Sequence, residues 1–233
     1  MASRLFVPPT CSGCGQRVAA AALCPACWKK LHFISKPFCH KYAVPFAYEA
    51  APDTLSPEAL RFPPPWNEAR AAVLFKDLAA DLVHGLKYGD RHDYAPLMAQ
   101  MMLRAGGDLV GKADYICPVP LHWRRMIRRH YNQAGLLAKR IARSEKKAVA
   151  PRFLVRRKAT ATQVGLSREG RARNLQNAFM VREKNSLQGS NILLVDDVMT
   201  SGATLSAATR ALLKAGAVEV NVLVFARVTD VIE

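Results

Sequence analysis

Residues 192–205 read ILLVDDVMTSGATL. Four apolar residues, Ile192 to Val195, deliver two adjacent carboxylates, Asp196 and Asp197, onto a turn of Thr200, Ser201, Gly202, Ala203 and Thr204. The apolar run predicts a strand from Asn191 to Val195, and the residues after the turn predict a helix from about Thr204 to Ala215. Gly216 ends that helix, and Val218 to Ala226 predict a further strand. Strand, turn, helix and strand in this order are the repeating unit of a parallel sheet covered by helices.

The same alternation continues toward the N terminus. Ala71 to Phe75 predict a strand, and Asp77 to Tyr88 a helix whose Leu78, Leu82, Val83 and Leu86 recur at helical spacing. A second helix is expected over about Tyr94 to Arg104, stopping at Gly106-Gly107. Next come a strand at Tyr115 to Val119, a long helix at about Asn132 to Arg143, and an irregular basic stretch over about 155–176. The fold class is therefore α/β, a mostly parallel sheet flanked by helices. Gly106 to Lys112 nearly spells a nucleotide-binding P-loop, but Ala113 stands where a hydroxyl is required. That segment also runs from helix into strand, the reverse of what a P-loop needs.

A chain of 233 residues, half of them hydrophobic, buries a full core with room for a small extra module. No apolar run reaches the roughly 18 residues of a membrane-spanning helix, and the start MASRLFVPPT lacks a signal core. A cytosolic, cytoplasmic protein is expected. Reduced cysteines in that compartment point to metal before disulfides. Cys11 and Cys14, then Cys24 and Cys27, form two C-x2-C knuckles, each closing with both sulfurs on one side, so the four are expected to hold one structural zinc. Cys39 and His40 read either as substitute ligands or as a buried thiol beside a surface imidazole, and Cys117 reads as core. Three segments follow: a cysteine zinc-binding module at 1–45, a linker or packed arm at 46–70 with five prolines between 51 and 66, and the α/β domain at 71–233.

The net charge of +16 is unevenly spread. Residues 118–184 hold 18 Lys and Arg against Glu145, Glu169 and Glu183, a block of +15 that attracts polyanions, whether a phosphorylated small molecule or a nucleic acid. Lys139, Arg140, Arg143, Lys146 and Lys147 read as a solvated helix face, and the block has few aromatics for base stacking.

The opening stretch has a chemical reading. In an open α/β sheet, ligands bind beyond the carboxyl ends of the strands. The turn there aims backbone N–H groups, three hydroxyls and the positive end of a helix dipole at one phosphate, and Gly202 lets the backbone come close. Asp196 and Asp197 precede that cradle and suit vicinal hydroxyls or a hydrated magnesium ion. Ribose 5-phosphate has a phosphate and a diol so spaced.

VDDVMTSGAT, residues 195–204, resembles the signature of type I phosphoribosyltransferases, which bind phosphoribosyl pyrophosphate (PRPP). Further segments narrow the resemblance to the ComF family, competence-associated proteins that join a cysteine zinc module to such a domain. They are PVPLHWRR at 118–125, Arg129 with Asn132-Gln133, the set Leu154, Arg156, Lys158, Thr160 and Gln163, and Arg171 with Asn174 before Ala178-Phe179. Two features depart from the family. A third cysteine pair is broken because Cys39 is followed by His40, Lys41 and Tyr42, and His130 stands where the family tends to place a glycine.

The resemblance implies a role for each matching position. Asp196 and Asp197 hold the ribose hydroxyls, with magnesium, and Thr200, Ser201, Gly202, Ala203 and Thr204 hold the 5′-phosphate. Leu121 and His122 bind pyrophosphate through backbone N–H groups, with Arg125 and Arg129 as cationic clamps. Arg156, Lys158, Thr160 and Arg171 are lid candidates, alternatively charges paired on a surface loop. Asp196, Asp197 and Arg125 are the expected catalytic set. Three functions stay open: a phosphoribosyltransferase with an unassigned acceptor, a non-catalytic PRPP sensor handling single-stranded DNA during uptake, or an adaptor held together by zinc.

Overall fold

The computed structural model describes residues 9–19, 22–121, 126, 131–157, 178–182 and 187–229. Five parallel strands form the central sheet: β3 (Ala69–Leu74), β4 (Tyr115–Pro118), β5 (Ala148–Val149), β8 (Asn191–Met199) and β9 (Glu219–Arg227). Their order across the sheet is β3-β9-β8-β4-β5. Two small antiparallel ribbons accompany it, β1 (Phe38–Cys39) with β2 (Val44–Pro45), and β6 (Leu154–Arg156) with β7 (Phe179–Val181). Helices α1 (Pro25–Trp28), α2 (Pro57–Arg61), α3 (Asp77–Tyr88), α4 (Tyr94–Lys112), α5 (Gln133–Glu145) and α6 (Ala203–Lys214) complete the described elements. None is long and apolar enough to cross a membrane.

The central strands are apolar on both faces, as a parallel sheet between two layers demands. On one face Leu193, Val195, Leu223 and Phe225 pack with Leu82 and Leu86 of α3, Met98 and Met102 of α4, and Leu137 and Ile141 of α5. On the other, Leu194, Val222 and Val224 meet Leu205, Ala208 and Leu212 of α6, the β6–β7 ribbon, and Tyr42 and Trp66 from the N-terminal third. The N-terminal segment thus reaches both faces. Cys11, Cys24, Cys27 and Leu31 join the first core, whereas Ile34, Cys39 and Tyr42 join the second. Between them the chain rounds the β3 edge: Leu74 N–H donates to the His32 carbonyl at 2.8 Å and Ile34 N–H to that of Ala72 at 3.1 Å. This covers a sheet edge that would otherwise offer unpaired donors and acceptors.

Two elements differ from the sequence reading. The helix expected to stop at Gly106-Gly107 continues to Lys112, bending at Gly106. A Cβ at Gly106 would lie 2.7 Å from Leu223 of β9, so this glycine brings the helix onto the sheet rather than ending it. The strand predicted to end at Val195 runs on to Met199, because Asp196, Val198 and Met199 keep pairing with β9.

Candidate functional site

Strand direction places the site. From β4 the chain moves outward to β5, whereas from β8 it moves the opposite way to β9, so the order reverses between β4 and β8. Ligands of open α/β sheets bind beyond the carboxyl ends of the strands at such a reversal. β4 and β8 stay paired to that point: Pro118 lies opposite Val195, and Val119 N–H donates to the Val195 carbonyl at 2.9 Å. The turn after Val119 and the acid pair are therefore neighbours. Asn132 reinforces the turn, its Nδ2 donating to the Val119 carbonyl at 3.0 Å.

Because β8 is extended through the pair, Asp196 and Asp197 emerge on opposite faces of the sheet. Asp197 meets the α3 side, where Lys87 Nζ lies 2.8 Å from Oδ1. Asp196 is pushed up to about 7, first by burial and then by the charge of Asp197; Lys87, Arg156 and the Asp197 N–H, which donates to Asp196 Oδ1 at 2.9 Å, only partly offset this. A hydrated cation or hydroxyl donors at Asp196 would favour its ionised form.

After Met199 the loop turns sharply into α6. Gly202 is its N-cap with φ 71°, a left-handed conformation that glycine adopts without strain. The missing side chain has a second use that the sequence reading placed on the ligand side. A Cβ there would lie 2.8 Å from Trp66 and 3.2 Å from Tyr42, so the glycine makes room for an aromatic support behind the loop. Trp66 is 1% exposed, meets Tyr42 edge-on at 5.5 Å and donates through its indole N–H to the Lys41 carbonyl at 2.6 Å. Tyr42 occupies the position where a third C-x2-C pair would have its second sulfur. Among the described residues, Ser201 Oγ in the loop and Asn132 Oδ1 beside the β4 turn are buried without a hydrogen-bond partner.

Arg227, the last residue of β9, is 3% exposed and faces Met199 across the strand pair. Its guanidinium donates to the carbonyls of Met199 at 3.2 Å and Tyr42 at 3.0 Å, to those of Thr200 and Val228, and to the Glu58 carboxylate. One side chain thereby joins the loop, the N-terminal ribbon and α2. Sequence reasoning missed it, although a lone arginine ending an apolar strand at the same sheet end as the acid pair was a usable signal. Lys87 was missed because a lysine in the last turn of a helix ordinarily serves the helix dipole.

Other expected site residues are placed unevenly. Leu121 lies half-buried just past the β4 turn, and Thr200, Ser201, Gly202, Ala203 and Thr204 form the loop and first turn of α6. Arg156 is buried on β6 with its guanidinium 5.6 Å from the Phe179 ring centre. His122, Arg125, Arg129, Lys158, Thr160 and Arg171 lie outside the described residues. In the basic block, Lys139, Arg140, Arg143 and Lys146 are exposed, whereas Lys147 caps the end of α4 through the Gly111 and Ala113 carbonyls at 2.7 and 3.0 Å.

The second centre is the cysteine cluster. The sulfurs of Cys11, Cys14, Cys24 and Cys27 all lie within 4.8 Å of one another, with Cys14 and Cys24 at 3.7 Å. Tetrahedral zinc–thiolate geometry needs sulfurs about 3.8 Å apart. Burial raises the Cys11 thiol, but N–H groups of Cys24, Cys14 and Gly13 outweigh it and bring the group down to about 6, as suits a thiolate. Burial and the neighbouring cysteines push Cys27 up to about 12, a strain that a cation relieves. Cys39 is buried apart from this cluster.

Residues 2–57 match the double zinc ribbon domain, and residues 133–230 match the phosphoribosyl transferase domain. These matches and the site geometry define a phosphoribosyltransferase-type α/β protein with an N-terminal four-cysteine zinc module. The DNA utilization protein YhgH of Escherichia coli K12 is 31% identical over 94% of this chain and 96% of its own length. Competence protein F of Haemophilus influenzae is 30% identical over 90% and 92%, respectively. Competence protein ComFC of Bacillus subtilis is 34% identical over 43% of this chain and 39% of its own. The chain belongs to this family, the ComF competence proteins.

Proposed function

We propose that this protein binds phosphoribosyl pyrophosphate with magnesium at the β4–β8 crevice and transfers the phosphoribosyl group to an acceptor. The observation that carries this reading is the acid pair at the end of β8, followed directly by a glycine-turned loop opening α6. The ribose hydroxyls would donate to Asp196 and Asp197. The 5′-phosphate would take N–H groups of the 200–204 loop and the Ser201 hydroxyl, which is otherwise without a partner. Leu121 and His122 would present N–H groups to the pyrophosphate, with Arg125 and Arg129 beside them. Lys158, Thr160 and Arg171 would cover the ligand and exclude water, whereas Arg156, buried on β6, would act from the base of that segment.

In the reaction the bond from the anomeric carbon to pyrophosphate breaks and the electron pair leaves with pyrophosphate. The acceptor forms the new bond with its own lone pair and then loses its proton. Asp196 and Asp197 would hold magnesium, which when bound supplies charge neutralisation to the polyanion, and Arg125 and Arg129 would stabilise the departing group. Pyrophosphate release from the ligand, measured with a panel of bases and oligonucleotides, tests for turnover.

Binding has its own test. PRPP with magnesium should stabilise the fold by about 2.7 kcal/mol at a hundredfold excess over Kd. Asp196→Asn and Asp197→Asn should lose most of that gain while keeping the side-chain shape. A full thermal shift retained in both variants would put the ligand elsewhere.

A second reading, binding of single-stranded DNA, is favoured by a specific surface. Before Glu49 the chain carries Arg4, Arg17, Lys29, Lys30, Lys36 and Lys41 and no acid. Within this stretch Trp28 and Phe33 are exposed and stacked, ring centres 4.8 Å apart, with the Arg104 guanidinium 5.9 Å from Trp28. Aromatics among cations suit an unpaired strand. Affinity for an oligonucleotide should fall with salt at a log–log slope of about −0.7 per phosphate neutralised. Trp28→Ala with Phe33→Ala should weaken binding while leaving the slope intact; unchanged affinity would remove the strand from this face.

A further inference from the structure

We propose that Lys87 is a ligand-binding residue of this crevice, its ammonium passing from Asp197 to the pyrophosphate of PRPP as the ribose hydroxyls take up the carboxylate. The proposal rests on the PRPP reading and adds a contact that no motif of the chain announces.

Lys87 lies in the last turn of α3, and its side chain is 21% exposed while that of Asp197 is 10% exposed. The pair is at the mouth of the crevice rather than sealed in the core, so either partner can be exchanged without opening the fold. The end of α3 is also fastened toward the β4 turn. The Tyr131 hydroxyl donates to the Leu86 carbonyl, one residue before Lys87, and the His92 ring meets Tyr131 edge-on at 3.9 Å. Asn132, next in sequence to Tyr131, holds the Val119 carbonyl. The end of α3 that carries Lys87 is thus linked, through Tyr131 and Asn132, to the turn to which the pyrophosphate is assigned.

The ribose hydroxyls are neutral donors, and each lone pair they occupy on Asp197 weakens the hold on the lysine. Pyrophosphate brings several negative oxygens to the adjacent turn at the same moment. An ammonium on a flexible four-carbon stem, with three donors, can keep one bond to Asp197 and give the others to phosphate oxygens. Arg156 cannot make this exchange: it sits on the opposite face of the sheet, buried against Phe179. A purely structural ion pair would leave ligand choice untouched, which separates the two roles.

The test compares PRPP with ribose 5-phosphate, which lacks the pyrophosphate, by calorimetric titration with magnesium. Wild type, Lys87→Met and Lys87→Arg are measured alongside their melting temperatures. Lys87→Met should weaken PRPP by about tenfold or more, the worth of one charge-assisted hydrogen bond, and leave ribose 5-phosphate unchanged or tighter. Lys87→Arg should keep most of the PRPP affinity. Equal weakening of both ligands, or undiminished PRPP affinity in Lys87→Met, overturns the assignment while wild-type binding upholds the site. If Lys87→Met does not fold, loss of the PRPP preference in Lys87→Gln supports the proposal, and its retention overturns it. A wild type that binds neither ligand overturns the PRPP reading itself, and the proposal with it.

Discussion

Removing zinc is expected to open residues 9–46 to protease while the parallel sheet keeps its far-ultraviolet signal. The four sulfurs come from two knuckles, and the described residues between Cys14 and Cys24 form no helix or named strand. In such segments the binding free energy of the metal is largely folding free energy, apparent values being about 10–16 kcal/mol in zinc-finger peptides. The module also packs onto the main core: a Cβ at Gly13 would lie 2.8 Å from Cys27 Sγ and 3.1 Å from Leu78 of α3. Loosening should therefore spread to the start of α3, the covered edge of β3 and, through Tyr42, the support behind the 200–202 loop, while the pairing of β8 with β4 and β9 stays intact. Elemental analysis should find about one zinc per chain, none in Cys24→Ser, and the full amount in Cys39→Ser. Zinc retained by Cys24→Ser would refute the ligand set.

Replacing Arg227 by methionine should cost about 3–5 kcal/mol of stability, the range for breaking a buried ion pair from one side. The methionine fills the volume but takes one donor from each of the Glu58 carboxylate and the carbonyls of Tyr42, Met199 and Thr200, the Met199 carbonyl keeping the Val228 N–H. Arg227→Lys should recover only part of the loss, since a single ammonium does not span groups arranged for a planar fork. Urea unfolding gives the stability, and PRPP-induced stabilisation of Arg227→Lys reports whether the loop still holds its shape. A loss under about 1 kcal/mol would reduce the buried contact to the worth of a surface pair.

How much of this was legible in the sequence depends on how local each signal is. The run from Ile192 to Thr204 declares itself, because apolar strand, acid pair and hydroxyl-glycine turn lie within one short stretch. The four cysteines do so as well, through their doubled spacing. Helix α3 was legible to the residue from its leucine spacing, whereas Gly106 misled, since a helix-ending glycine and one that admits a neighbouring strand look alike until the neighbour is known. The support behind the 200–202 loop was illegible for a related reason. Trp66 sits in a proline-rich stretch, Tyr42 follows an unpaired cysteine, and Arg227 closes a distant strand; only the folded chain brings them together. Lys87 and Asp197 are likewise far apart in sequence. The loop and acid pair proposed to hold ligand were therefore easier to read than Lys87 and the residues that support them.

The strand order carries a consequence for how the chain is made. β3 has its sheet partner in β9, near the other end of the chain, and the cysteine module is laid along the outer edge of β3. On the ribosome the module can load its metal early, from residues 11–27 alone. β3 then waits for β9 while residues 75–218 are translated, on the order of ten seconds at about 5–20 residues per second. During that interval the apolar side of β3 and the module's own inner face are both uncovered. Among the described strands, the one translated latest is thus the one that closes the sheet over β3.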